Sequence, residues 1–517
     1  MNIQSLRIQP SLHIQPSLHI QTSLRIQPSL RIQDIYKNND YTNQNFEVSK
    51  EDKYKYGEIY TPFSLIKQMF NLFNPTVFTE KNKKWLDTGA GTGYFSIYLY
   101  KSLMDGLIEV IPNEKKRHDH IITNMIYMVE IKESNIKQLR DCFGEKANIA
   151  CVDYTKNEII PIFPPKYDYI IGNPPYNSDG IKKVPTNKII DKKEDGKTIW
   201  VDFIHRSISL LQPKEGKLLY IVPSIWMKPD KAKTYDLLTK YKLEKIVSLS
   251  NTETNCIFKG NAQTPTCYFL LSNDAEGTNE EGTNTIELYD KDRDIFTPYT
   301  FKKGTSLPVF GSHIINKLLP FVKKYGCLKP VKTNLPKKGT QLSLIKDAAH
   351  PFPNIKTCVI ENRVTPKLVI EYSNIEQSYS GIPKLVLAHK MYGFPYMDAS
   401  GIYGISNRDN YIFHKIEIQK MERLKQYLST KTVMYIYDAT RYRMKYLERY
   451  AFEFIPDITN IPDFPEIIND ETISTYFGFD EEDKKIIKNR RSYMLCAEGT
   501  DPIEKWVVGA ECNAPPL

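Results

Sequence analysis

The chain has little cysteine, 8 residues in 517, and no Cys-x-x-Cys pair. That absence argues against a zinc ribbon or a redox loop, and it leaves reduced thiols of an intracellular protein as the expectation. Long apolar runs are missing too. None approaches the roughly 20 residues that a membrane span requires, so a soluble chain is expected, without signal peptide or membrane partner. Histidine is sparse at 9 residues. The one close pair, His118 and His120, sits in the polar run Lys115-Lys116-Arg117-His118-Asp119-His120, which reads as a solvated loop, and no metal site is expected. Acidic residues are in deficit: 70 Lys and Arg against 61 Asp and Glu leave a formal charge of +9, which suits a polyanionic partner without requiring one.

What the chain does carry begins with Asn173-Pro174-Pro175-Tyr176, directly after the apolar run Tyr167 to Gly172. Two prolines stop strand pairing, so this tetrapeptide forms a rigid turn at the carboxyl end of a strand. In an open α/β sheet that end binds ligands. The Asn173 side-chain oxygen, the Pro174 carbonyl and the Tyr176 ring together suit a planar exocyclic amine.

Upstream, Trp85-Leu86-Asp87-Thr88-Gly89-Ala90-Gly91-Thr92-Gly93 precedes a helical stretch from Tyr94 to Leu103. Glycines at 89, 91 and 93 allow close backbone approach to a ligand where free amides and the helix dipole point. The spacing lacks the third glycine of a dinucleotide fingerprint, and no Gly-Lys-Ser/Thr follows, which weakens nicotinamide and P-loop readings. Next come two short strands closing on acids: Met125 to Ile131, with Glu130 placed for ribose hydroxyls, and Ala147 to Asp153, with Asp153 placed to accept from an adenine amino group. Alone, each acid reads as a solvated strand end. In this order they outline one adenosine-type pocket.

On these motifs the chain resembles the S-adenosylmethionine-dependent DNA adenine-N6 methyltransferases of the gamma arrangement found in restriction–modification systems. Gly57-Glu58-Ile59-Tyr60-Thr61-Pro62-Phe63 resembles the cofactor segment that precedes the Gly loop in that family. Thr198 to Phe203 resembles the motif after Asn-Pro-Pro-Tyr, Gly216 to Ser224 the strand that follows, and Lys245–Leu249 with Thr266–Leu271 the closing antiparallel pair. The likeness covers roughly residues 50–290. It implies an α/β fold, a Rossmann-like methyltransferase mixed sheet with helices on both faces, followed by a carboxyl-terminal α+β target recognition domain. The cofactor implied is S-adenosyl-L-methionine, bound by Tyr60, Thr61, Pro62, Asp87, Gly89, Gly91, Gly93, Glu130, Ile131, Asp153 and Tyr154, with Asn173, Pro174, Pro175 and Tyr176 as the catalytic set.

The implied activity is transfer of a methyl group to N6 of a flipped-out adenine in double-stranded DNA. Adenine N6 is a poor nucleophile until its hydrogens are held by acceptors, and the base must leave the duplex to be reached. Tyr176 is the expected stacking face. No cysteine follows a proline, so the nucleophile of a cytosine-C5 enzyme is missing. The alternative is a methyltransferase of the same fold acting on a protein glutamine or an RNA base amine. The resemblance also allows a separate cognate restriction endonuclease as partner, and the chain itself is expected to be a monomer.

Three segments are expected. Residues 1–45 hold a hexapeptide, Ser-Leu-Arg-Ile-Gln-Pro at its first occurrence, recurring from Ser5, Ser11, Ser17, Ser23 and Ser29; prolines block a helix and little can pack, so disorder is expected. Residues 46–290 form the catalytic domain; near its end a loop in which Glu-Gly-Thr-Asn occurs twice either joins two strands at the edge of that domain or links it to the next. Residues 291–517 form the target recognition and DNA-binding region, with strands over Lys367–Glu371 and Lys384–His389. There Arg441, Arg443, Lys445 and Arg449 alternate with Tyr442, Tyr446 and Tyr450, either as phosphate and base contacts or as cations around a Tyr-rich core. The polar segment Asn177 to Lys197, with Lys182, Lys183 and Lys188, would lie beside the flipped base.

Overall fold

The computed structural model describes residues 31–38 and 59–490, apart from 157–159, 162, 178–197, 263, 276–281, 362–364, 390–394 and 443–446. Its largest sheet has nine strands: β1 (Trp85–Asp87), β2 (Ile126–Glu130), β3 (Asn148–Cys151), β4 (Tyr169–Gly172), β5 (Lys217–Pro223), β6 (Lys242–Leu249), β7 (Thr266–Ser272), β8 (Thr283–Asp290) and β9 (Ile295–Lys302). The spatial order is β3-β2-β1-β4-β5-β7-β6-β8-β9. β3, β2, β1, β4 and β5 run parallel, and β7 runs antiparallel to both β5 and β6. The strand order reverses between β1 and β4. Such a switch point opens a crevice at the carboxyl ends of the two strands.

Both sheet faces are covered, as alternation along each strand requires. Trp85, Met128, Ile171, Leu219 and Ile221 pack with residues of the helices Phe63–Phe70, Tyr94–Gly106 and Glu133–Phe143. Leu86, Tyr127, Val129, Ile170, Leu218 and Tyr220 face the other way, toward the helix Trp200–Leu210. That second cluster continues without interruption through Tyr299, Phe301, Leu307 and Phe310 to Tyr435, Phe477 and Ile487. The expected boundary at 290 falls at the turn of a hairpin. β8 and β9 pair from Thr283–Lys302 to Asp290–Ile295, so the large sheet runs on past it.

Beyond lie β10 (Val331–Lys332), β11 (Leu342–Ser343), β12 (Phe352–Glu361), β13 (Thr365–Ser373), β14 (Lys384–Ala388), β15 (Tyr396–Asp398), β16 (Gly404–Ile405) and β17 (Asn410–His414). They form two four-stranded sheets, β10-β17-β14-β15 and β11-β13-β12-β16, joined by a small core of Ile355, Val386, Ile405 and Ile412. The strands expected at 367–371 and 384–389 fall within β13 and on β14. Lys384 is fully buried and pairs with Asp398 at 2.6 Å. The helices Ile418–Leu428, Lys431–Ala439, Asp470–Tyr476 and Glu481–Asn489 follow.

The structure differs from expectation at the last repeat unit and at the histidine-bearing run. The last repeat unit ends in Asp34 where three of the four earlier units have proline, and Ile32–Asn38 forms a helix with Ile32 and Ile35 buried; the earlier repeats lie outside the described residues. The histidine-bearing run is a helix, Glu114–His120, because Asn113 caps it by accepting from the Lys116 amide. His118 there bonds the Tyr100 hydroxyl at 2.8 Å and His120 the Lys81 carbonyl at 2.7 Å. Tyr442 is 1% exposed and donates to the Leu307 carbonyl, in line with the reading of cations around a Tyr-rich core, while Arg441 pairs with Asp438. Arg443, Lys445 and Tyr446 lie outside the described residues, as do Lys182, Lys183 and Lys188. Cys142, Cys151, Cys267, Cys327 and Cys358 take no part in disulfides. Among the described residues, no helix is long and apolar enough to cross a membrane.

Candidate active site

The crevice at the switch point is lined by the turn after β1 and the turn after β4, whose strands pair with Asp87 opposite Ile171. The Gly loop begins at Asp87, which is 1% exposed. Its Oδ2 accepts from the Ser96 hydroxyl at 2.8 Å, while its buried Oδ1 has no hydrogen-bond partner among the described residues. Burial pushes this carboxyl up to about 7, although the hydrogen bonds from Ser96 and the Gly89 amide work the other way. Gly93 turns the chain into the helix Tyr94–Gly106 at φ 96°, and a Cβ there would lie 2.9 Å from a methyl of Leu139. Only glycine fits that position.

Glu130 closes the loop from the neighbouring strand. Its Oε2 accepts from the Gly91 amide at 2.7 Å, and its Oε1 accepts from the amides of Ile131 at 2.9 Å and Lys132 at 2.8 Å. This side chain therefore orders the Gly loop and the end of β2 together. Directly after it, Ile131 is 52% exposed, an apolar surface at the rim. Asp153 follows β3, and its Oδ1 accepts from the amide and hydroxyl of Thr155. Tyr154 does not join the rim. It is 4% exposed and packs on Phe203, with the Arg206 guanidinium 5.0 Å above its ring.

Tyr154 instead ends a buried chain of hydroxyls that sequence reasoning missed. Tyr154 and Ser207 oxygens lie 3.0 Å apart, Ser207 and Tyr220 2.7 Å, and Tyr220 and Thr88 2.6 Å. It runs from the end of β3 to the Gly loop. Burial holds the Tyr220 hydroxyl far above its ordinary range, so these groups act as neutral hydrogen-bonding links.

The Asn-Pro-Pro-Tyr turn stands across the crevice. Asn173 Nδ2 donates to the Thr61 hydroxyl at 3.1 Å and to the Ile59 carbonyl at 3.5 Å. A carbonyl can only accept, which fixes the amide with its nitrogen toward residues 59–61. The opposite atom, Oδ1, is buried and has no hydrogen-bond partner among the described residues. Pro174 is buried, Pro175 half-buried, and Tyr176 packs half-buried against the main core, with its hydroxyl pushed well up by burial. Tyr60 stacks on Tyr94 at 5.5 Å, and Pro62 starts the helix Phe63–Phe70. The segment 59–62 thus touches both sides of the crevice. Asn177 bridges Thr198; the polar stretch 178–197 between them lies outside the described residues.

The sheet order with antiparallel β7 and the Gly-loop turn define a Rossmann-like methyltransferase fold. Residues 94–255 match the family described as Eco57I restriction-modification methylase. That match supports a methyltransferase of the restriction–modification type. No curated protein matches the chain. Among solved structures, the type IIG restriction endonuclease BpuSI is similar with a TM-score of 0.38 at 10% identity, over 88% of this chain and 67% of that one. The type I methyltransferase subunit from Streptococcus thermophilus gives 0.31 at 16%, over 52% and 53%, and the EcoKI M protein 0.32 at 17%, over 46% and 51%. This chain thus matches about half the length of either type I protein. Likeness this distant carries no functional argument.

Proposed function

We propose that the protein is a site-specific DNA methyltransferase that transfers a methyl group from S-adenosyl-L-methionine to N6 of an adenine turned out of duplex DNA. The observation that carries this reading is the Asn173 side chain, whose buried oxygen has no partner among the described residues while its nitrogen is tied down by Thr61 and Ile59. A buried polar atom without a partner is costly unless function uses it. An acceptor fixed beside the Pro174 carbonyl matches an amine with two hydrogens.

Holding both hydrogens lets the nitrogen rehybridise toward an attacking lone pair. Orientation of this kind contributes on the order of 7–11 kcal/mol at its upper limit. The cofactor supplies an electrophilic methyl on sulfur, so no covalent protein intermediate is needed. Its fit rests on the Gly loop held by Glu130, the exposed Ile131 and the acid Asp153 at consecutive strand ends. Tyr176 gives the flipped base an aromatic face. Residues beyond the large sheet form the target recognition region, duplex DNA is the partner, and a separate endonuclease completes the system.

The test is to produce the protein in a host free of DNA methylation and sequence the DNA for N6-methyladenine. Modification at one sequence context is expected. Unmodified DNA with methylation of a protein glutamine or an RNA amine would overturn the reading.

A further inference from the structure

The segment from Lys329 to His350 presents an unusual surface. It contains lysines 329, 332, 337, 338 and 346 and a single acid, Asp347. Among these cations stand large apolar side chains with nothing over them: Leu335 is 67% exposed, Leu344 74% and Ile345 73%. Adjacent apolar residues this open mark an interaction site more often than ordinary surface.

The tip is built, not slack. β11 pairs with the edge of β13, Leu342 opposite Ser373 and Ser343 opposite Tyr372. The Ser343 hydroxyl donates to the Ile345 carbonyl at 2.8 Å and accepts from the Ile345 amide at 3.0 Å. On the far side, Asp347 Oδ1 accepts from the amides of Ala349 and His350. Leu344, Ile345 and Lys346 are thereby held outward between two side-chain clamps. Lys338 and Lys346 make no ion pair among the described residues, and Lys337 reaches only the Glu376 carbonyl, at 2.7 Å. Their charge is left for an anionic partner.

We propose that this tip is a duplex DNA contact in which Leu344 and Ile345 enter as an apolar wedge between base pairs while Lys338 and Lys346 take the flanking phosphates. The proposal rests on the DNA reading above and adds a contact that deforms the duplex. Apolar wedges of this kind partly unstack a base step and kink the helix, and a tip already held in shape loses little freedom on insertion. Cations beside apolar side chains fit phosphates beside stacked bases. A second copy of this chain would meet the same positive charge and be repelled.

The experiment uses the full-length protein and end-labelled duplexes of random sequence, reading affinity by titration, bending by energy transfer between the ends, and salt dependence. Wild type should bind and bring the ends closer. L344S/I345S, which alters only exposed side chains, should bind at least about 10-fold more weakly and lose the bend while keeping its salt slope. K338A/K346A should keep the bend and lose about two phosphate contacts, lowering the log–log salt slope by roughly 2. Cofactor binding should be unchanged in both. A serine variant that binds and bends like wild type overturns the wedge and leaves the DNA reading standing. Failure of wild type to bind DNA at all overturns both, and a change in oligomeric state without change in DNA binding assigns the tip to a second copy instead.

Discussion

The side-chain nitrogen of Asn173 lies 3.1 Å from the Thr61 hydroxyl, across 112 positions of sequence. That contact holds the amide nitrogen toward residues 59–61 and leaves its buried oxygen with no hydrogen-bond partner among the described residues. Asn173→Ala should therefore leave cofactor affinity nearly intact and lower methyl transfer by at least about two orders of magnitude, the loss typical of a donor or acceptor aimed at a reacting group. Single-turnover rates at saturating DNA check this, and near-normal transfer would remove Asn173 from the reaction.

Thr61→Val keeps the shape of that residue but deletes the acceptor. Only the longer contact to Ile59 then remains. A net hydrogen bond is worth about 1 kcal/mol, so the transfer step should slow by roughly 5-fold to 10-fold with DNA affinity unchanged, and Thr61→Ser should restore it. A Val variant with wild-type rate would show that the amide is oriented by other contacts.

Glu130 carries two duties, and the variants separate them. Glu130→Ala strips the acceptor from three amides and should lower both the melting temperature and the cofactor affinity. Glu130→Gln keeps one carbonyl oxygen, so stability should recover in part, while S-adenosylmethionine binding stays weakened by roughly 1.5–3 kcal/mol. Calorimetry that finds the Gln affinity unchanged would place the ribose contact elsewhere.

Asp87 gives stability a pH dependence of definite sign. Its carboxyl is pushed from 3.8 to about 7 by burial, so between those values the folded chain holds a proton that the unfolded chain has released. Its contribution to the stability of the cofactor-free protein should accordingly fall as pH rises through that window and level off above it. Melting curves from pH 4 to 8 should show a shallower decline in Asp87→Asn than in wild type. Equal slopes would mean that Asp87 is charged throughout.

A chain ending at residue 290 should not fold. It would lose β9, the partner of β8, and uncover the large cluster that continues through Tyr299, Phe301, Leu307 and Phe310. Aggregation, or loss of cooperative melting, is the expected outcome. A soluble fragment that binds cofactor would instead establish the first 290 residues as an independent unit.

The parallel half of the sheet was legible because its strands are short apolar runs ending in Asp87, Glu130 and Asp153, each followed by a turn or helix signal. Asn-Pro-Pro-Tyr was legible for the same reason, two prolines after an apolar run. What escaped depended on register. That Glu130 would hold the Gly91 amide follows only once β1 and β2 are neighbours. That Tyr154, beside Asp153, is buried against Phe203 follows only once the helix Trp200–Leu210 is packed on the sheet. The repeated Glu-Gly-Thr-Asn reads either as a turn between edge strands or as a link between domains; it leads from β7 into β8 of the same sheet, which composition alone does not decide.

The buried hydroxyl chain from Tyr154 through Ser207 and Tyr220 to Thr88 has a consequence for how this sequence can change over time. Tyr220→Phe would remove the middle link and leave the hydroxyls of Thr88 and Ser207 to find new partners in a dry interior. Stranding a buried polar group costs roughly 1–3 kcal/mol, whereas replacing both partners with apolar groups of the same shape can be nearly neutral. Energies of such linked residues do not add. Each position is therefore guarded by its neighbours, and the hydroxyl chain can drift only by paired replacements, a ratchet that preserves it against single mutations.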